Sequence, residues 1–205
     1  LLAPQSRTPI PVSCVEAGRW RMRSAVFAAA EHTAGPELRA RKAQVLASDP
    51  LIRGAAQSEV WRAIDEQSTR RGVASPTAAH ADMFAHHRSA LHELREAFPA
   101  RSGQCGVILV LPDGHTCLDY LSRPDAYAEH HRKLLDGYLM DALDQLDRPA
   151  AGIEPVNRML HRLSLVPLSR RGSAGLGTDL RTATKLLSAT GLELDGELLQ
   201  LSAYA

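Results

Sequence analysis

The sequence predicts an α+β fold, several helices packed on a small, mostly antiparallel sheet. Two observations carry that prediction. Apolar runs turn back through Asp-Gly pairs at Asp113-Gly114 and Asp195-Gly196, and helical stretches open on a proline at Pro36, Pro76 and Pro124. Asp-Gly is a hairpin signal because these residues tolerate the positive φ of a tight turn. Proline suits the first helical position, where its missing N–H has no intrahelical partner to lose.

Taken in order, Ile10–Val15 alternates like a strand, and Glu16-Ala17-Gly18 turns it toward a second strand. There Trp20 and Met22 share one face while Arg19, Arg21 and Arg23 share the other. A helix from Pro36 carries Leu38, Val45 and Leu46, and a second carries Val60, Trp61 and Ile64 before Gly72 caps it. Ser75-Pro76 then starts a longer helix with Phe84, Leu91, Leu94 and Phe98 on its buried side, ended by Pro99. Gly106–Leu111 is a continuous apolar strand, which implies burial on both faces and so a central place in the sheet, and His115–Tyr120 returns beside it. Pro124 opens a long helix with Tyr127, Leu134, Leu135, Tyr138 and Ala142 facing inward, and Val156, Met159, Leu160 and Leu163 mark a shorter one. Glycines from Gly172 to Gly177 make a loop with no clear strand leading into it, and Asp195-Gly196 turns the chain into a last strand, Glu197–Tyr204. The two Asp-Gly hairpins read equally as an internal repeat or as one common recipe used twice.

The chain has 205 residues, 44% hydrophobic and 23% charged, which is one domain of ordinary globular composition over 1–205. Its 24 basic and 23 acidic side chains nearly cancel, so no global field draws in nucleic acid or an anionic membrane. Any anion site must be local. Cys14, Cys105 and Cys117 are odd in number and lie in or beside apolar runs, the pattern of reduced core thiols, which favours a cytoplasmic location. No apolar run is long enough to cross a bilayer. The opening Leu1-Leu2-Ala3-Pro4 lacks an initiator Met and the charged region of a signal peptide, so a fragment of a larger protein is expected.

Several stretches resemble a bacterial family of unknown mechanism, the ARG and rhodanese-phosphatase-superfamily-associated protein domain, where ARG stands for ADP-ribosylglycohydrolase. They are the run from Ile10 to Trp20, Gln57 with Val60-Trp61, Gly72 to Thr77, Leu118-Asp119, Tyr138 with Asp141-Ala142-Leu143, and Leu201 to Tyr204. Ser58, Ala78, Gly137 and Met140 depart from the pattern. The resemblance implies that an N-terminal β-rich region is lacking here. It also implies a setting near NAD or ADP-ribose metabolism, without a mechanism.

Three constellations bear on chemistry. Arg19, Arg21 and Arg23 would emerge from one strand face about 7 Å apart, a spacing suited to phosphate, or would form a solvated outer face. Gln57 and Trp61, one helical turn apart, could offer an amide and a ring to a base, or serve as a cap and a core residue. Glu16, Asp119 and Asp141 could meet as a carboxylate cluster for general-base work or Mg²⁺ binding, or serve separately in a turn, at a strand end and on a helix flank. The nine histidines show no ligand spacing, and no metal is expected. No cofactor is identified. The leading expectation is a ligand-binding or accessory domain for a nucleotide-derived anion. A non-catalytic scaffold binding protein partners is the alternative, and a hydrolase of a nucleotide-derived substrate the third.

Overall fold

A computed structural model describes residues 1–10, 12–17, 30–48, 56–75 and 79–205. Four helices come first: α1 (Pro36–Ser48), α2 (Gln57–Arg70), α3 (His80–His86) and α4 (Arg88–Glu96). The hairpin β1 (Gly106–Val110) and β2 (Thr116–Leu121) follows, then α5 (Pro124–Ala142), a short 3-10 turn (Leu143–Gln145) and α6 (Glu154–Leu165). The chain closes with β3 (Ser169–Gly172), β4 (Thr178–Ala183), β5 (Ser188–Leu194) and β6 (Glu197–Tyr204). All six strands join one antiparallel sheet in the order β1-β2-β6-β5-β4-β3. Among the described residues no helix is long and apolar enough to cross a membrane.

Strand register sorts the side chains onto two faces, because successive residues alternate. Leu109, Cys117, Tyr204 and Ser188 stand opposite one another across β1, β2, β6 and β5 and so share a face. Two residues along, Val107, Asp119, Ser202 and Thr190 form the next row on that face. The row between them, Ile108, Leu118, Ala203 and Ala189, points the other way. Cys117 and Tyr204 join the larger core with Leu38 of α1, Val60 and Ile64 of α2, Leu91 of α4 and Tyr138 of α5. Ala189 and Ala203 join a smaller core built on Met159 of α6. The sheet is therefore a middle layer, with five helices gathered on one side and α6 on the other.

Two of the three prolines act as expected, since α1 starts at Pro36 and α5 at Pro124, and Pro76 lies outside the described residues. Gly72 ends α2 at φ +63, where its N–H and that of Val73 bond to Thr69 and Ser68 carbonyls. Ser75 accepts the Ala79 N–H at 2.9 Å, ahead of α3. The two Asp-Gly hairpins differ in their turns. Asp195 and Gly196 both have positive φ (52° and 84°), the two-residue mirror-image turn, whereas Gly114 at φ 90° donates to the Leu111 carbonyl across a longer loop.

Five expectations need correction. The apolar run Gly106–Leu111, expected to be a central strand buried on both faces, gives β1 at the edge of the sheet, paired among the described residues only with β2 and with Ile108 36% exposed. The described residues of 10–15 form no strand; only Glu16 makes an isolated bridge, to Ala79. The long helix after Ser75 is broken at His87 into α3 and α4. Phe98, expected inside, is 53% exposed because it lies beyond the end of α4. The glycine loop is entered by a strand after all: β3 and β4 flank it as a hairpin. The strand expected over Arg19, Trp20, Arg21, Met22 and Arg23 lies outside the described residues.

Candidate functional site

Beneath the helices, an acidic group sits where an apolar strand would ordinarily keep none. Asp119, 5% exposed, projects from β2 toward α1. Arg39, one turn into α1, meets it with both terminal nitrogens, at 2.9 and 2.7 Å. Tyr138 of α5 and Ser202, its cross-strand neighbour on β6, donate their hydroxyls to the same carboxylate. Burial, and then the charge of Asp119, push the Tyr138 phenol well above its usual pKa, so it remains a donor. The Arg39 guanidinium also lies 5.6 Å from the Tyr138 ring centre and 5.4 Å from that of Tyr204. This network fastens α1 and α5 to the sheet.

A cavity of about 640 Å³ opens beside it. Leu109, Cys117, Tyr204 and Ser188 line its floor, the strand row next to that of Asp119 and Ser202. The floor is mostly apolar, and Cys117 offers no nucleophile: burial, reinforced by the charge of Asp119, pushes its thiol up to about 12. The Ser188 hydroxyl, in a residue 1% exposed, has no hydrogen-bond partner among the described residues.

Two kinds of charge line the walls. Arg41 and Arg70 are neutralised by Glu37, at 3.1 and 2.6 Å, and Arg41 also reaches Glu66 at 2.5 Å. Arg148, after the 3-10 turn, and Lys185, in the β4–β5 turn, have no carboxylate partner among the described residues. Arg162 of α6 spends one guanidinium nitrogen on the Leu186 carbonyl at 3.2 Å. The cavity thus combines an apolar floor with walls of mixed charge: Arg148 and Lys185 lack an ion-pair partner among the described residues, while Asp113 and Asp144 line the same walls with Glu37 and Asp141.

Asp141 lies on the α5 wall, 6% exposed. Its Oδ2 accepts the Glu37 N–H at 2.8 Å, so a side chain of α5 caps the first turn of α1. Gly35 makes room for it: a Cβ there would stand 2.7 Å from that oxygen. Burial raises the Asp141 carboxyl to about 6, against the pull of the Glu37 N–H and of Arg71, whose Nη2 lies 3.4 Å from Oδ1.

The other residues singled out in the sequence lie as follows. Among Glu16, Asp119 and Asp141, it is Asp141 that lines the cavity. Asp119 is engaged with Arg39, and the Glu16 side chain accepts the Ala81 N–H at 3.1 Å at the start of α3. Gln57 and Trp61 do converge, but on a peptide. The Gln57 amide accepts the Cys14 N–H and donates to the Cys14 carbonyl, both at 2.7 Å, and the Trp61 indole donates to that carbonyl at 2.9 Å. Trp61 keeps 39% of its surface exposed and borders a second hollow of about 390 Å³. Arg19, Arg21 and Arg23 lie outside the described residues.

Sequence reasoning missed Arg39, Arg148, Arg162, Lys185 and Ser188. For Arg39 a signal existed: an acid within the apolar stretch of β2 calls for a cation from a neighbouring helix. The three wall cations carry no local signal, since loop and helix-end positions bring them together only in the fold.

Comparison with curated proteins and with solved structures gives no match in either case. A family model does match, over residues 1–204. With helices and sheet arranged as described, the chain belongs to the ARG and rhodanese-phosphatase-superfamily-associated protein domain family.

Proposed function

We propose that the domain is an accessory ligand-binding module that takes a phosphorylated, nucleotide-derived anion in the cavity between α1, α5 and the sheet. The observation that carries this reading is the pair Arg148 and Lys185, cations that line an apolar-floored cavity without a carboxylate partner among the described residues. Apolar surface with a few convergent polar groups is the usual make-up of a small-molecule site, and about 640 Å³ is a size that suits one. The family description, with its ARG and phosphatase associations, supports a ligand related to ADP-ribose and a partner protein that makes or uses it.

The test is isothermal titration with ADP-ribose, ATP and inorganic phosphate at two ionic strengths. Saturable binding that weakens with salt, and falls about 3–10-fold in Arg148→Ala and in Lys185→Ala, supports the cavity. Loss in Arg21→Ala instead moves the anion to Arg19, Arg21 and Arg23. Absence of binding to every probe rejects the ligand reading in favour of a scaffold. Turnover of a bound ligand would add catalysis, with Asp141 as the acid in reach.

A further inference from the structure

The sheet has two edges, and their side chains protect them unequally. β3, at one end, carries Arg170 and Arg171 in a mostly exposed strand, the charged kind of edge that resists pairing with another chain. β1, at the other end, is Gly-Val-Ile-Leu-Val, without charge or proline. We infer that β1 pairs antiparallel with β1 of a second copy of this chain, about a twofold axis at Ile108, so that the two sheets become one.

The hydrogen-bond register shows what β1 has to offer. The Leu111 N–H donates to the His115 carbonyl and the Leu121 N–H to the Cys105 carbonyl, both at 2.8 Å. Bonds to β2 therefore fall on Cys105, Val107, Leu109 and Leu111, because such bonds alternate along an antiparallel pair. Gly106, Ile108 and Val110 turn their N–H and C=O groups the other way, out of the sheet. Among the described residues no backbone group pairs with them, and the Gly106 carbonyl accepts the Gln104 side-chain amide at 2.9 Å, with a lone pair to spare. Ile108, midway along, is a partly exposed apolar side chain at the centre of this open edge.

The edge is complementary to itself. In an antiparallel pairing centred on Ile108, Ile108 faces Ile108, and Gly106 of each copy faces Val110 of the other. Each pair exchanges two main-chain bonds, about six in all. The ends match in charge as well: exposed Arg101 precedes the strand, with no ion pair among the described residues, and Asp113 follows it. Antiparallel pairing brings Arg101 of each copy toward Asp113 of the other, whereas a parallel pairing would set Arg101 beside Arg101. The axis stands perpendicular to the sheet, so α6 lies on the same side in both copies and the two Ile108 side chains cover each other.

The test is sedimentation velocity on the intact chain from about 1 to about 200 µM, a range over which a self-associating chain changes state by mass action, with hydrogen exchange read at the Ile108 and Val110 amides. The mass should rise from 22.3 kDa toward twice that, and both amides should exchange fast when dilute and become protected when concentrated. Ile108→Lys sets like charges opposite each other and should weaken the dimer at least about tenfold, with the far-ultraviolet circular dichroism unchanged. Ile108→Cys should form an intermolecular disulfide on oxidation, since the paired Cα atoms would lie about 5.5 Å apart. A monomer at every concentration overturns the inference and leaves the edge to a strand of another protein. A dimer that Ile108→Lys leaves intact or Ile108→Cys fails to cross-link overturns it too, because the contact is then elsewhere. So does protection of both amides in the monomer, which would mean that the edge is covered within the chain.

Discussion

Removing the Asp119 carboxylate tests whether the buried network holds the helical layer to the sheet. In Asp119→Ala the guanidinium of Arg39, 18% exposed, loses its bidentate partner, and the Tyr138 and Ser202 hydroxyls lose their acceptor. Breaking one side of a buried pair costs about 3–5 kcal/mol, because the remaining charge is stranded. For a domain of this size each kcal/mol shifts the melting temperature by roughly 2–4 °C, so a fall of roughly 6–20 °C is expected. The double variant Arg39→Met/Asp119→Leu removes both charges and should recover only the part of that loss due to the stranded guanidinium, because the Tyr138 and Ser202 hydroxyls stay orphaned at about 1–3 kcal/mol each. Differential scanning calorimetry with urea titration gives both numbers. A single-variant cost under about 1 kcal/mol, or a double variant no better than the sum of the singles, would refute the reasoning.

Asp141 predicts a pH signature. Its folded pKa near 6 lies above the usual 3.8, so between those values the folded chain holds a proton that the unfolded chain has released. Its contribution is therefore greatest in acid and is lost as the pH rises from about 4 to about 6. Two pH units at about 1.4 kcal/mol each make it about 3 kcal/mol. In urea titrations across that range, the difference between wild type and Asp141→Asn should slope by this amount; a flat difference means that Asp141 ionises normally. Gly106→Ala should cost about 1–3 kcal/mol, since a Cβ there would stand 2.5 Å from the Asp119 carbonyl oxygen of the paired strand. An unchanged unfolding midpoint would show that β1 yields freely.

What the sequence made legible was local. Asp-Gly pairs located two hairpins, and Pro36 and Pro124 located two helix starts, because each residue acts through its own backbone. Trp61 and Gln57 were visible as a pair, but their common target, the Cys14 peptide, lies 43 residues from Gln57. Strand β3 was hidden because Ser169-Arg170-Arg171-Gly172 shows no apolar alternation; an edge strand with both faces wet needs none. The cavity was illegible for a related reason. Its floor residues come from four strands and its wall cations from two loops and α6, so no spacing along the chain announces them. Asp119 came closest, since an acid within an apolar strand signals a buried partner even when it does not name Arg39.

The position of β6 has a kinetic consequence. It is the last strand in the chain, yet it stands between β2 and β5 near the centre of the sheet. During synthesis the β1–β2 hairpin and the β3–β4–β5 meander must wait as separate pieces, each with an unpaired inner edge, until Glu197–Tyr204 emerges to bridge them. The pairing of Cys117 with Tyr204 closes a loop of 86 intervening residues, a long-range contact of the kind that slows folding. The sheet, the Asp119 network and the cavity floor are thus completed in one late step, and until then the exposed edges of β2 and β5 are where a chaperone would be needed most.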